Sequence, residues 1–271
     1  MNTMQCFLKK KRKKMIIDKI DKSNFNYIKN EDNTKGVLGI THNRIVEIPN
    51  FLDEKTAQSM ISYVESKGDD WGDIAFYGSL GMGLAPNDPG LAEHGLDGNF
   101  FENLREKFKE AVELVFERKV RPNTSHAQKW DVGGFAAPHS DNSDFDGVPN
   151  AFEINKYVGI LYLNGDYEGG DLFFCKEAEV YDKETNSNRW ETYLSFKPNA
   201  YSYYVFPGGV ENVHGVSEIL EGTRYTMVSF WDYEEIEYDQ ATLDKWKEEE
   251  KQVRIEQAIQ KEEWAKGNKY A

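Results

Sequence analysis

The sequence predicts an α+β fold in which helices come first and a core of about eight short strands follows. Before residue 120, two segments repeat apolar residues every three or four positions, as amphipathic helices do. From Ser125 onward, short apolar or alternating runs follow one another, separated by Gly, Pro, Asn and Asp. Aromatic residues, which favour strands, make up 14% of the 271 residues.

The helical part is predicted to begin after a short strand at residues 44–48. One helix then reaches about Lys67, and a second covers residues 100–119. The connection at residues 68–99 is rich in Gly and Asp and is predicted to be a long loop. Like residues 142–154, it could act as a lid or be an ordinary surface connection.

Eight strands are predicted in the second half of the chain, at a spacing typical of an all-β sandwich or barrel. They cover residues 126–132, 136–141, 156–163, 171–174, 192–196, 201–206, 213–217 and 224–231.

Residues 21–233 are predicted to form a single domain, with helical support at about 45–120 and the strand-rich core at about 125–233. The preceding residues 1–20 contain six consecutive bases and are predicted to be a disordered tail. Residues 234–271 are acidic and are predicted to be a helical extension, which either docks on the sheet or binds a partner.

The formal net charge of −14 disfavours nucleic acid as a partner and favours a basic or neutral protein surface. The same charge could serve solubility alone. The two cysteines do not indicate a disulfide framework, and no apolar run has transmembrane length. We therefore expect a cytoplasmic protein with no membrane partner; the oligomeric state is left open.

A candidate metal site begins with the pair His139 and Asp141. Residues i and i+2 of a strand point to the same face, so both side chains could converge on one ion. Imidazole and carboxylate together suit a divalent transition metal such as iron or manganese. By itself the pair is weak evidence for a metal, because a satisfied surface pair explains most His-x-Asp sequences.

His214 and Arg224 complete the pattern further along the chain. His214 follows a Gly-rich turn and would make a set of two histidines and one carboxylate, as non-heme Fe(II) oxygenases use. Arg224 begins an otherwise uncharged strand, so it needs an anionic partner there. Arginine binds a carboxylate through two hydrogen bonds, and Thr226 shares its face. A salt bridge at the rim would be the alternative for Arg224 alone.

With these residues in place, the chain resembles the prolyl 4-hydroxylase-like branch of the Fe(II)/2-oxoglutarate-dependent oxygenases over about residues 45–233. In residues 129–141, an aromatic residue and a Gly-containing turn precede His-x-Asp. Residues 159–172 contain Tyr-Leu-Asn followed by Glu-Gly-Gly, and residues 197–231 run from Lys-Pro through the second histidine to the arginine strand. The resemblance implies a double-stranded β-helix, that is, a jelly-roll or cupin-like core.

The resemblance also implies a role for each matching residue. The metal ligands would be His139, Asp141 and His214, which with Arg224 form the catalytic set, and the residues around 2-oxoglutarate would be Arg224, Thr226, Tyr162 and Trp130. Trp130 stands where related enzymes often have a tyrosine, and an indole is bulkier and only donates.

The implied activity is that of a dioxygenase that uses Fe(II), O2 and 2-oxoglutarate as cosubstrate, with ascorbate as a reductant. The implied reaction is hydroxylation of a prolyl residue in a peptide or protein. Related halogenases lack the carboxylate ligand, so Asp141 favours hydroxylation. One alternative is the same chemistry on another amino-acid side chain or a small molecule. An alternative of another class is a non-catalytic β-helix that only binds.

Overall fold

The protein is described by a computed structural model, which covers residues 20–36, 39–74, 79–85, 87–144, 147–176, 180–182, 187–189 and 191–265. In chain order, the first part contains β1 (Asn26–Gly36), β2 (Gly39–Ile48), α1 (Glu54–Glu65), β3 (Gly72–Ile74), β4 (Ser79–Gly83) and α2 (Phe100–Phe116). The second part contains β5 (Val120–Trp130), β6 (Ala136–His139), β7 (Tyr157–Tyr162), β8 (Glu168–Gly169), β9 (Leu172–Cys175), β10 (Val180–Asp182), β11 (Ser187–Arg189), β12 (Thr192–Phe196), β13 (Tyr203–Pro207), β14 (His214–Val216), β15 (Ile219–Glu221), β16 (Arg224–Tyr233) and α3 (Gln240–Ala265).

Two antiparallel sheets form the core. The large sheet has the order β1-β2-β13-β7-β16-β5-β4-β3, and the small sheet has the order β12-β9-β14-β6. The central large-sheet strands β13, β7, β16 and β5 are interleaved along the chain with the four strands of the small sheet. This strand order is the double-stranded β-helix, a jelly roll in which Greek-key connections carry the chain between two sheets. The predicted fold class is confirmed.

The eight predicted strands correspond to β5, β6, β7, β9, β12, β13, β14 and β16, with ends that differ by a few residues. The strand predicted at residues 44–48 is the end of β2, which pairs with β1 over its length and with β13 on its other side. The hairpin of β1 and β2 therefore widens the large sheet.

Both predicted helices cover the outer face of the large sheet. The side chain of Asp53 accepts a hydrogen bond from the Thr56 backbone N–H and thereby caps the start of α1. From α2, the Phe108 ring stacks on Tyr203 with centroids 4.4 Å apart. The burial of these rings against the sheet holds the helical layer in place and orients the strands that carry the site.

A second apolar cluster lies between the two sheets. Alternate residues of β16 divide between the clusters: Met227 and Trp231 face the helices, whereas Val228 packs in the intersheet cluster. From the small sheet, Leu172 and Phe174 join Val228 there. This interior is where the candidate site lies.

The segment at residues 68–99 differs from the predicted long loop. It contains β3, β4 and a 3-10 helix at Pro89–His94, and β4 pairs with β5. The prediction was wrong because edge strands of three to five residues are too short to show periodicity. Within the two candidate lids, residues 75–78, 86 and 145–146 lie outside the described residues, as does the basic tail up to residue 19.

The C-terminal helix α3 contacts the core through its first turns. Trp246 is buried, and its ring packs edge-on against Tyr238 at 4.7 Å between centroids. Among the described residues, no helix is long and apolar enough to cross a bilayer.

Candidate metal centre and buried arginine

The fold brings His139, Asp141 and His214 together from β6, the turn after it and β14 of the small sheet. His139 ends β6, and its backbone partner in β14 is His214. Such directly opposite residues place their side chains side by side, and the two ring centroids are 4.4 Å apart. One ligand atom from each of the three residues lies within 4.8 Å of the other two.

Asp141 reaches this cluster from just beyond the end of β6, whereas the sequence analysis placed it within the strand. Its backbone N–H donates to the Gly208 carbonyl, with 2.8 Å between N and O. Its carboxylate oxygens lie 3.8 Å from Nε2 of His139 and 3.5 Å from Nε2 of His214. The predicted convergence holds, although the turn after His139 produces it.

Backbone carbonyls orient both imidazoles. Nδ1 of His139 lies 2.8 Å from the Ala137 carbonyl oxygen, and Nδ1 of His214 lies 3.0 Å from that of Asn212. Because a carbonyl only accepts, each Nδ1 carries the proton and each Nε2 keeps its lone pair. The Nε2 atoms are the ones nearest the Asp141 carboxylate, so the tautomers suit a shared cation.

The electrostatics of the cluster also fit a cation. Burial raises the pKa of the Asp141 carboxyl to about 8 and lowers the pKa values of His139 and His214. Asp141 Oδ2 is buried without a hydrogen-bond partner. A divalent cation would favour the ionised carboxylate and the neutral imidazoles that bind it. Two histidines and one carboxylate on one side of an ion are the donor set of non-heme Fe(II) sites.

Arg224 is a buried cation in the same interior. It is 1% exposed, and its guanidinium carbon lies 4.4 Å from the centre of the Trp130 ring and 5.3 Å from that of Tyr162. One terminal nitrogen donates to the Gly170 carbonyl at 3.0 Å, whereas Nε has no partner. Within the described part of the chain, no acidic side chain forms an ion pair with it. A buried cation in this condition calls for an anionic ligand.

The remaining predicted residues lie around Arg224. Thr226 and Tyr162 are backbone partners in β16 and β7, and both side chains are fully buried. The Tyr162 hydroxyl has no hydrogen-bond partner, and burial raises its pKa, so it stays a proton donor. The Thr226 hydroxyl donates at 3.3 Å to Gln128 Oε1. The structure therefore places all four predicted cosubstrate residues in one buried neighbourhood.

Two side chains near the site were missed by the sequence analysis. Gln128 faces the interior from β5, and alternation with Trp130 could have indicated it. Asn212 lies in the turn before His214, where its amide donates to Asn43 at 2.8 Å and to the Pro207 carbonyl at 3.1 Å. No local pattern marks Asn212, because its partners come from distant segments.

A jelly roll that places two histidines and one carboxylate beside a buried arginine suits proteins that bind a single metal ion. Comparison with known proteins shows which of these proteins the chain resembles. Residues 125–232 match the family model of the 2OG-Fe(II) oxygenase superfamily. This part of the chain is therefore similar to the proteins of that superfamily. The matched segment contains the three cluster residues and Arg224.

Curated relatives match over shorter stretches. The chain is 37% identical to prolyl 3-hydroxylase 3 of Homo sapiens over 76 residues, which are 28% of this chain and 9% of that protein. It is 27% identical to prolyl 3-hydroxylase 1 of Gallus gallus over 151 residues, which are 49% of this chain and 19% of that protein. The chain thus spans less than a fifth of the length of these relatives.

Solved structures with a similar chain course include a prolyl-4-hydroxylase of Pseudomonas putida, with a TM-score of 0.46 and 15% identity over 70% of this chain and 92% of that one. Another is HygX of Streptomyces hygroscopicus with nickel and 2-oxoglutarate bound, with a TM-score of 0.49 and 14% identity over 71% of this chain and 84% of that one.

Proposed function

We propose that this protein is a 2-oxoglutarate- and Fe(II)-dependent dioxygenase that hydroxylates a prolyl residue in a peptide or protein. The observation that carries the proposal is the pairing of two buried features in one interior. One is a cluster of two imidazoles and a carboxylate. The other is Arg224, a guanidinium whose Nε has no partner. The first suits a metal ion and the second a carboxylate, and 2-oxoglutarate would bind to both.

His139, Asp141 and His214 would hold Fe(II), each through the atom that faces the other two. When bound, the metal supplies the activation of O2 that is coupled to oxidation of 2-oxoglutarate to succinate and CO2. Because His139 and His214 lie on adjacent strands of one sheet and Asp141 follows the end of β6, the three residues would occupy one side of the ion and leave the other side to ligands.

Arg224 would bind the distal carboxylate of 2-oxoglutarate. The hydrogen bond to Gly170 fixes one terminal nitrogen, so the remaining N–H groups are directed away from that carbonyl. The Tyr162 hydroxyl, which stays protonated, can donate to the same carboxylate. The surrounding aromatic residues exclude water, which strengthens both contacts.

The substrate would approach the metal from the side of His139, whose side chain is 24% exposed, compared with 7% for Asp141 and 5% for His214. A prolyl substrate is supported by the curated relatives, which are named prolyl 3-hydroxylases. The net charge of −14 favours a neutral or basic peptide. Whether carbon 3 or carbon 4 of the ring is hydroxylated is a readout of the experiment.

The test is conversion of 2-oxoglutarate to succinate with Fe(II) and ascorbate under air, with and without proline-containing peptides. We expect peptide-stimulated turnover that is lost in His139→Ala. The matched control is His94→Ala, since His94 lies in the 3-10 helix and contacts Ser62. NMR of the product would identify the hydroxylated carbon.

Three results would change the proposal. If small molecules or peptides with other side chains stimulate turnover and prolyl peptides do not, the 2-oxoglutarate chemistry stands and the prolyl substrate is rejected. Turnover that survives in His139→Ala would reject the metal site. A folded, iron-loaded protein without any turnover across varied substrates would favour a non-catalytic binding module.

A further inference from the structure

Three side chains of β5 form a polar row along the interior. His126, Gln128 and Trp130 alternate along the strand and therefore point to the same side. Gln128 is 6% exposed and Trp130 is 2% exposed. Gln128 lies in the middle of the row and hydrogen-bonds to both of the others.

The direction of these hydrogen bonds is determined by the chemistry of the partners. The Trp130 indole N–H can only donate, so the atom of Gln128 that it reaches at 3.2 Å is the amide oxygen. The amide nitrogen of Gln128 then donates to Nε2 of His126 at 3.1 Å. His126 must accept this bond as a neutral imidazole, and burial lowers its pKa to about 4, which keeps it neutral near pH 7.

The amide oxygen of Gln128 also accepts a hydrogen bond from the Thr226 hydroxyl, with 3.3 Å between the two oxygens. The Gln128 side-chain carbonyl thus accepts hydrogen bonds from Trp130 of β5 and Thr226 of β16. In this strand pair, Trp130 is the backbone partner of Arg224. The Trp130 ring in turn lies 4.4 Å from the Arg224 guanidinium carbon. The Gln128 amide therefore fixes the ring that faces the buried cation.

We propose that Gln128 is a positioning residue for cosubstrate binding, which acts by holding the Trp130 indole against the Arg224 guanidinium. This inference rests on the proposed function of Arg224. A guanidinium binds a carboxylate through two N–H groups in one plane, so rotation of that plane weakens binding. The indole limits this rotation, and Gln128 limits the movement of the indole. Gln128 itself need not touch the cosubstrate.

The proposal predicts a specific effect of Gln128→Met, which keeps the length of the side chain and removes both polar atoms. We expect 2-oxoglutarate to bind about 10-fold more weakly, the size expected when one buried hydrogen bond is lost. The dissociation constant is measured anaerobically from the charge-transfer absorption of the Fe(II) complex. KM for 2-oxoglutarate should rise by a similar factor, while kcat and the KM for the peptide stay within about 2-fold.

A double-mutant cycle separates positioning from a general loss of structure. Trp130→Phe keeps an aromatic ring but lacks the indole N–H. If Gln128 acts through that N–H, Gln128→Met in the Trp130→Phe background should weaken 2-oxoglutarate binding by less than about 3-fold. The matched control is Gln58→Met, because Gln58 is an exposed residue of α1 that contacts Glu54.

The NMR signal of the Trp130 indole N–H provides a readout that does not depend on the cosubstrate. Its resonance is assigned by its loss in Trp130→Phe and should shift in Gln128→Met. An unchanged resonance would overturn the positioning role. If the wild type binds 2-oxoglutarate and Gln128→Met binds it equally well, the positioning role of Gln128 is overturned and the proposed function is unaffected. A wild type that does not bind 2-oxoglutarate would overturn both.

Discussion

The replacement Arg224→Met should separate the stability of this protein from its affinity for 2-oxoglutarate. Arg224 is 1% exposed, donates to the Gly170 carbonyl and stacks on Trp130, and its Nε has no partner. Methionine has a similar length and no charge. The variant therefore removes a buried cation while it keeps most of the packing.

The magnitudes follow from these contacts. Loss of the bond to Gly170 should destabilise the fold by about 1–3 kcal/mol, and loss of the cation–π contact by up to about 2 kcal/mol. Relief of the buried charge should stabilise it by several kcal/mol. These contributions nearly cancel, so the free energy of unfolding without cosubstrate should change by no more than about 2 kcal/mol. Binding of 2-oxoglutarate instead leaves a buried carboxylate unpaired, which costs about 3–5 kcal/mol, or roughly 10²- to 4 × 10³-fold in affinity.

The assay is thermal unfolding with Mn(II), with and without 2-oxoglutarate, because a ligand that binds only the folded state raises the melting temperature. Wild type should be stabilised by millimolar 2-oxoglutarate, and Arg224→Met should not. Arg118→Met is the control, since Arg118 also stacks on an aromatic ring but pairs with Glu235. If Arg224→Met binds 2-oxoglutarate within 3-fold of wild type, Arg224 is not its carboxylate partner.

Three further predictions concern the surroundings of the site. Asn212→Ala removes the buried side-chain hydrogen bonds to Asn43 and to the Pro207 carbonyl, which hold the turn before His214. The variant should weaken Mn(II) binding by about 10- to 100-fold, measured by calorimetry. Gly159→Ala should destabilise the fold by about 3 kcal/mol or more in urea, because its Cβ would lie 1.8 Å from the Tyr203 hydroxyl oxygen; Gly83→Ala, which meets no atom within 4 Å, should be nearly neutral. The pKa of His126 is lowered from 6.5 to about 4, so its neutral form stabilises the fold above pH 6.5 and this contribution is lost as pH falls toward 4. His126→Gln should therefore lose less stability than wild type between these pH values, and equal slopes would contradict the assignment.

Much of the fold could be predicted from local patterns. Apolar residues recur at helical spacing within α1 and α2, and short apolar or alternating runs mark the eight strands of the jelly roll. Each of these patterns lies within the element that it predicts. The strands β3 and β4 were missed, because at three and five residues they are too short for alternation to be read. Their place at the sheet edge depends on pairing between β4 and β5, which are far apart in the chain.

For the candidate site, the sequence by itself determined the donor types and their spacing, and hence that His139, Asp141 and His214 could share a cation while Arg224 needed an anion. Only the tertiary structure decided that Arg224 lies against Trp130 without an acidic partner, and that Gln128 joins Trp130 to Thr226. The physical reason is that hydrogen-bond direction and burial depend on strands about 100 residues apart meeting in one register, whereas a sequence pattern reports only which face each side chain occupies.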